Sequence, residues 1–453
     1  MNRTRPLALA SALAAAATLL SGCAYWPFST IHKWWVGQRP QVTVYKPETP
    51  VSENAKVRQG KPSDQADTRS VDNLKRLAKA GNPNAQVALG KFYFDGAGDV
   101  KKDPEKAFEL FLAAAKSKNP QGMYNVAICY DGGVGTRQNA QLALDWYNRA
   151  AEARVPEAMT KVAAVAEEKG DYLQALKYLR ILGENGDPVC LRKAALLLIN
   201  GFGEPSAPDE PFQLLLKASQ LGDVRAQLHL ADCYQRGRFT EADYDEMFSW
   251  LTIAAQTGDP EAQCKLAYCY AIGMGTAKNA DIAFNWYRQA AQANYPAALA
   301  ALGDCHLEGR GTSRDIRKAV ELYRKAADER DFVAQYRLAQ LHLLGLGVEK
   351  STERAVEFLK AAAAQNFPPA LVRLGLLHEE GKALPRDTAA AFTCYLKAAE
   401  QNDTDAMERL ALCYLNGVGT PTDARMAYRW LASAAAKGSR NAQRLIEQHH
   451  LRP

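Results

Sequence analysis

Small and apolar residues recur along this chain in a fixed register. With one small residue taken as an anchor, Ala85, Gly122, Ala158, Cys190, Ala226, Ala262, Ala298, Ala334, Ala370, Ala406 and Ala442 line up, and from Cys190 onward every step is 36 residues. The earlier steps are 37, 36 and 32, so the third unit carries a deletion. Four residues after the anchor stand Leu89, Val126, Val162, Leu230, Leu266, Leu302, Leu338, Leu374 and Leu410. Eight after it stand Tyr93, Tyr130, Tyr234, Tyr270 and Tyr414, with His306, His342 and His378 in the same column. Such offsets fall on one face of a helix with 3.6 residues per turn. Each anchor therefore opens a first helix, A, whose buried stripe runs from small residue to leucine to tyrosine.

A glycine follows eleven residues after most anchors (Gly96, Gly133, Gly201, Gly237, Gly273, Gly309, Gly345, Gly381, Gly417), and a second glycine often stands two further on, as in Gly273-Met274-Gly275. Glycine tolerates the positive φ that ends a helix and turns the chain. A second helix, B, then carries an alanine (Ala143, Ala283, Ala319, Ala355, Ala391, Ala427), a bulky residue three later (Trp146, Trp286, Leu322, Phe358, Trp430) and a closing Ala-Ala pair such as Ala290-Ala291. The alanines let the two helices approach, and the bulky residue is expected to fill the gap between units. Asn82-Pro83, Asn119-Pro120 and Asp259-Pro260 read as an N-cap followed by proline at the start of the next helix A. One hairpin has too little interior to stand alone, so stability comes from stacking. The expected fold is all-α, a solenoid superhelix of about ten helix-turn-helix repeats over residues 71–450, with around twenty-two helices. A lone helix B over 72–80 and a lone helix A over 441–450 would cap its ends.

These columns resemble the Sel1-like repeat family, a relative of the tetratricopeptide repeat. The pattern A-x-x-x-L-G/A-x-x-Y-x-x-G-x-G, followed by Ala, Trp and Ala-Ala, carries the resemblance. The third unit lacks the second glycine, and the fourth has Pro205, Pro208 and Pro211 in its loop, so the superhelix is expected to bend differently there. What the resemblance implies is a non-catalytic scaffold that binds a protein or peptide partner in its concave groove. A cysteine-rich branch of the family, linked to β-lactam binding or hydrolysis, and a cell-wall binder of peptidoglycan or polysaccharide are the rival functions.

The N-terminus changes the picture. Arg3 and Arg5 precede an apolar run from Leu7 to Leu20 that ends in Leu20-Ser21-Gly22-Cys23. A bilayer span needs roughly 20 apolar residues, so the run suits an export signal instead. It resembles a lipoprotein signal over residues 1–22, with Cys23 as the lipidated residue. Ala24 follows where a retention signal would place Asp, which favours the outer membrane. Tyr25, Trp26, Phe28, Trp34 and Trp35 form either an interfacial collar or a plug against the first helix, and a polar tether runs on to residue 70. Removing both arginines lowers the formal net charge from +6 to +4, a balance that argues against a nucleic-acid partner. The expected terminal caps favour a monomer.

Catalytic signatures are missing: there is no Ser-x-x-Lys, Gly-x-Ser-x-Gly, His-Glu-x-x-His or phosphate-binding glycine loop. Cys129, Cys233, Cys269, Cys305 and Cys413 occupy one column seven after the anchor, where other units place Phe92, Val165, Leu197, Leu341 or Leu377, and so read as small buried hydrophobes. The histidine column reads as core rather than as a metal ladder, because stacked units hold the rings too far apart for one ion. No cofactor is expected. One column is chemically distinctive: three residues after the anchor stand Lys161, Lys193, His229, Lys265, Arg337, Arg373 and Arg409, interrupted by Ala301. This offset flanks the buried stripe on the side expected to line the groove; the column reads either as a solvated polar edge or as a row of cations that would attract anionic or carboxylate-bearing partners.

Overall fold

The computed structural model describes residues 68–97 and 100–452. The signal sequence, Cys23, the aromatic cluster and the tether all lie outside the described residues. Those that are described form 22 α-helices and no strand. They fall into two packing units divided at Asp243.

The first unit holds α1 (Thr68–Lys79), α2 (Pro83–Asp95), α3 (Pro104–Lys116), α4 (Pro120–Gly132), α5 (Ala140–Glu152), α6 (Pro156–Lys169), α7 (Tyr172–Glu184), α8 (Pro188–Ile199), α9 (Glu210–Gln220) and α10 (Val224–Arg236). In the second lie α11 (Tyr244–Gln256), α12 (Pro260–Ile272), α13 (Ala280–Gln292), α14 (Pro296–Glu308), α15 (Ile316–Asp328), α16 (Phe332–Leu344), α17 (Thr352–Ala364), α18 (Pro368–Glu380), α19 (Thr388–Ala399), α20 (Thr404–Asn416), α21 (Ala424–Ala436) and α22 (Arg440–Gln448). Even numbers are A helices and odd numbers B helices. Within each unit every helix packs against its sequence neighbours, and some A helices (α2 with α4, α12 with α14, α14 with α16, α18 with α20) also touch the A helix of the next repeat. Each unit is thus a helical solenoid, opened in the first by the lone B helix α1 and closed in the second by the lone A helix α22.

Side chains explain where the helices start and stop. Asn82, Asn119, Asp187, Asp223, Asp259, Asp331 and Asp403 cap A helices by accepting hydrogen bonds from first-turn amides. Glycines at the far end adopt the left-handed conformation, as Gly273 does with φ of 80°. The N-cap amide of helix B then returns to helix A: Asn279 N–H donates to the Tyr270 carbonyl at 2.8 Å, and Asp315 N–H to that of His306 at 2.8 Å.

Between several repeats, the column-eight residue lies edge-on to a phenylalanine of the preceding helix B. Ring centroids are 5.3 Å apart for Phe108–Tyr130 and Phe248–Tyr270, and 5.5 Å for Phe284–His306. Helix B differs from expectation in its deepest residue. Trp146, Trp286 and Trp430 are only half-buried, whereas the next residue along (Tyr147, Tyr287, Tyr323, Leu359, Tyr395, Leu431) is buried. With Ala and Ala-Ala on the seam, the adjacent position points along the helix–helix axis and the tryptophan sits at its margin. The irregular repeats have local repairs: α6 and α7 are joined through Gly170 and Asp171 alone, and Arg180 of α7 braces the proline-rich loop through two 2.8 Å bonds to Glu210 and one of 3.1 Å to the Glu204 carbonyl.

Candidate functional site

The column three residues after the anchor is distinguished by its charge, and its environment decides what it can do. Lys161 is exposed and the other six members are half-buried. Most are tied to carboxylates. Lys161 Nζ lies 3.1 Å from Asp131 of α4, and Lys193 Nζ 3.2 Å from Glu167 of α6, so each links its helix to the preceding A helix. Lys265 pairs with Glu261 at 2.9 Å, and Arg409 with Asp405 at 3.5 Å, one turn back on the same helix. Arg337 reaches Asp304 of α14 at 2.8 Å, with both side chains nearly removed from solvent. Arg373 differs: it makes no ion pair or hydrogen bond among the described residues. His229 is half-buried within α10.

A third group joins these pairs. The Tyr323 hydroxyl donates to Asp304 Oδ1 at 2.6 Å, the Tyr147 hydroxyl to Asp131 at 3.3 Å, and the Tyr395 hydroxyl to Glu379 at 2.8 Å. Burial first, and the adjoining carboxylate second, raise all three phenols, so they stay protonated donors at neutral pH. At each such junction a tyrosine from helix B and a carboxylate from helix A meet, and at the first two the next repeat's cation completes the set. The row is therefore a set of pre-oriented ionic seats rather than a run of bare positive charge. Their acids were overlooked in the sequence, although Asp131, Glu167 and Glu379 all stand nine residues after their anchors.

The cysteines and histidines take other roles. All eight described cysteines are free thiols, seven of them buried. Burial pushes Cys129, Cys190, Cys269 and Cys305 up to about 12, and Cys233 and Cys413 up to about 11, so these sulfurs are neutral at physiological pH and poor nucleophiles. His342 lies over Phe358 with centroids 5.9 Å apart, and its Nδ1 donates to the Glu349 carbonyl at 2.9 Å. Burial lowers the pKa of His306. Among the described residues no group of three His, Cys, Asp or Glu side chains converges as metal ligands do, and no helix is long and apolar enough to cross a membrane.

Two caps carry a pH dependence. Asp403 is 4% exposed, its Oδ1 accepts from Ala406 N–H at 2.6 Å, and its Oδ2 has no partner. Burial pushes its pKa up to about 7, with Asp405 adding and Arg409 opposing, and burial pushes Asp331 up to about 6. An acid with a raised folded-state pKa stabilises the fold most when protonated. The contribution is complete below pH 4 and is lost as pH rises through about 7. Asp403→Asn keeps the cap without the buried charge. It is expected to raise stability at pH 8 by about 1–2 kcal/mol and to change it little at pH 4. Urea midpoints at the two pH values check this; equal gains at both would remove the charge as the cause.

Comparison with known proteins follows the same register. The profile of the Sel1 repeat matches nine segments, 83–119, 120–154, 156–187, 224–259, 260–295, 296–331, 333–367, 368–403 and 404–439, and leaves the proline-bearing repeat between them unmatched. The chain is 29% identical over 185 residues to chitin synthase regulatory factor 3 of Schizosaccharomyces pombe, a stretch covering 38% of this chain and 20% of that protein. It is 30% identical over 173 residues to an uncharacterised protein of Neisseria meningitidis, covering 37% and 34%. The chain thus spans about a third or less of the length of these relatives. Among solved structures, a protective antigen of uropathogenic Escherichia coli with an SLR fold superposes with a TM-score of 0.53 at 25% identity, covering 84% of this chain and 90% of that one.

Proposed function

The chain belongs to the Sel1 repeat family, and on that footing we propose that it is a lipid-anchored adaptor of the cell envelope, held in the outer membrane through Cys23, whose helix-A row receives acidic segments of a protein partner. Arg373 carries the reading. It is a half-buried guanidinium in a row whose other lysines and arginines have carboxylate partners, and it has none among the described residues. A cation so placed has already lost part of its hydration and gains by accepting a carboxylate from outside. The regulatory names of the fungal relatives agree with a protein that acts through others.

Variants follow from which seats are structural. Arg337 braces two helices, so reversing it would confuse folding with binding. The combination Lys265→Glu, Arg373→Glu and Arg409→Glu leaves that pair intact. Cross-linking in intact cells, followed by identification of what is caught, is expected to lose a reproducible protein partner in this variant but not in Arg354→Glu on helix B. Cys23→Ala is expected to move the protein out of the membrane pellet. Capture unchanged by the triple reversal, or capture of cell wall alone, would refute the adaptor reading.

A further inference from the structure

The residue two places after an anchor can reach the N-cap of the next helix A. Arg192 of α8 meets Asp223, the cap of α10, 31 residues on. Its Nε lies 3.0 Å from Oδ1 and 3.2 Å from Oδ2, and both side chains are 7% exposed. Glu408 of α20 stands at the same place in its repeat and accepts a hydrogen bond from the hydroxyl of Ser439, the cap of α22. Each of these joints gives the cap a polar partner from the preceding A helix.

The joint between α18 and α20 keeps the cap and lacks that partner. Asp403 is the cap, and Val372 stands 31 residues before it, as Arg192 stands before Asp223. Val372 is buried in one apolar cluster with Ala406 and Met407 of α20. Asp403 Oδ1 accepts from the Ala406 amide, while its Oδ2 is buried without a partner. The side-chain charges acting on it, Asp405 and Arg409, both belong to α20 and oppose each other. On α19, Lys397 and Glu400 are exposed. On α18, Glu379 is bound by the Tyr395 hydroxyl, and Arg373 makes no ion pair among the described residues. An ionised carboxylate at this joint has lost its water and gained no cation, whereas the protonated acid has no charge to desolvate.

We propose that the joint between α18 and α20 is a proton-controlled hinge, closed when Asp403 is protonated and opening more readily when it is ionised. Burial has the largest influence on this acid, with the Ala406 amide working against it. Opening exposes the carboxyl to water, where it ionises near its ordinary value of about 4. Closure therefore weakens as pH rises from about 4 and levels off above about 7, where the acid is ionised in both states. Arg373 and Arg409 ride on the two helices that the hinge joins, so the proton governs how firmly that part of the row is held. That the row serves a partner rests on the adaptor reading; the hinge stands without it.

Hydrogen exchange of the full chain tests this, read by mass spectrometry and corrected for the intrinsic rate at each pH. Protection of α18 and α20 is expected to fall at least about tenfold between pH 5 and pH 8. The joint at Asp223, which has its guanidinium, is the reference within the same protein, and protection of α8 and α10 is expected to change less than about threefold. Asp403→Asn keeps the cap without the charge and is expected to flatten the response at α18 and α20. Val372→Arg supplies the cation that Arg192 gives its own joint and is expected to flatten it too; if the arginine costs helicity, Asp403→Asn alone decides. No fall at α18 and α20, an equal fall at both joints, or a fall that survives Asp403→Asn would each overturn the proposal. Exchange is measured without any partner, so failure here and failure of the adaptor reading are separable.

Discussion

Arg337→Met is expected to destabilise the second unit by about 3–5 kcal/mol, far more than a surface arginine would cost. The guanidinium and its partner are almost dry, with side-chain exposures of 13% for Arg337 and 3% for Asp304. Removing the cation leaves a buried carboxylate whose remaining donor is the Tyr323 hydroxyl at 2.6 Å. The loss arises from stranding a charge and not from the worth of the pair, because desolvating both ions already offsets much of their attraction. Replacing all three groups, as Asp304→Leu, Tyr323→Phe and Arg337→Met, is therefore expected to recover most of the stability, to within about 2 kcal/mol of the original chain. Urea denaturation followed by circular dichroism, with hydrogen exchange read at α14 to α16, measures both variants. A single substitution costing under about 1 kcal/mol would mean that water reaches the pair.

The contrast between Arg337 and Arg373 shows where sequence reading stops. Both stand three residues after an anchor, and helical periodicity places both beside the buried stripe. Periodicity reports a residue's own face, whereas the partner comes from the preceding repeat, 33 residues earlier in the case of Asp304. That acid sits six residues after its anchor, while Asp131 and Glu167 sit nine after theirs, so the pairing follows no single column. The anchors, leucines, glycine corners and capping residues were legible because each acts within one hairpin. Seats between repeats were not, because they depend on three residues from three helices. The tryptophans of helix B illustrate the same limit: size drew the eye to Trp146 and Trp286, but the angle of approach between helices buries Tyr147 and Tyr287 instead.

Gly311→Ala is expected to be a strongly damaging single methyl in the second unit, and Gly258→Ala its control. Both glycines have positive φ, 67° and 90°, so each alanine meets the left-handed penalty of about 1–2 kcal/mol. They differ in what lies beyond. A β-carbon at Gly258 would meet nothing within 4 Å. At Gly311 it would overlap the Ala280 carbonyl oxygen and come within 2.8 Å of the Phe284 β-carbon, both in the first half of the preceding helix B. Sister positions behave alike, since Gly275 meets the Tyr244 carbonyl and Gly419 that of Thr388. The second glycine of each corner is thus where one repeat rests on the last, and its missing side chain sets the stacking distance. Relieving the overlap requires helix α13 to move away from the corner, loosening the Phe284–His306 contact at 5.5 Å. The expected cost is at least about 3 kcal/mol at Gly311 against about 1–2 at Gly258. Thermal midpoints of the two variants compare these directly. Equal losses would show that the corner glycine serves the turn alone and that the repeats are held apart by something else.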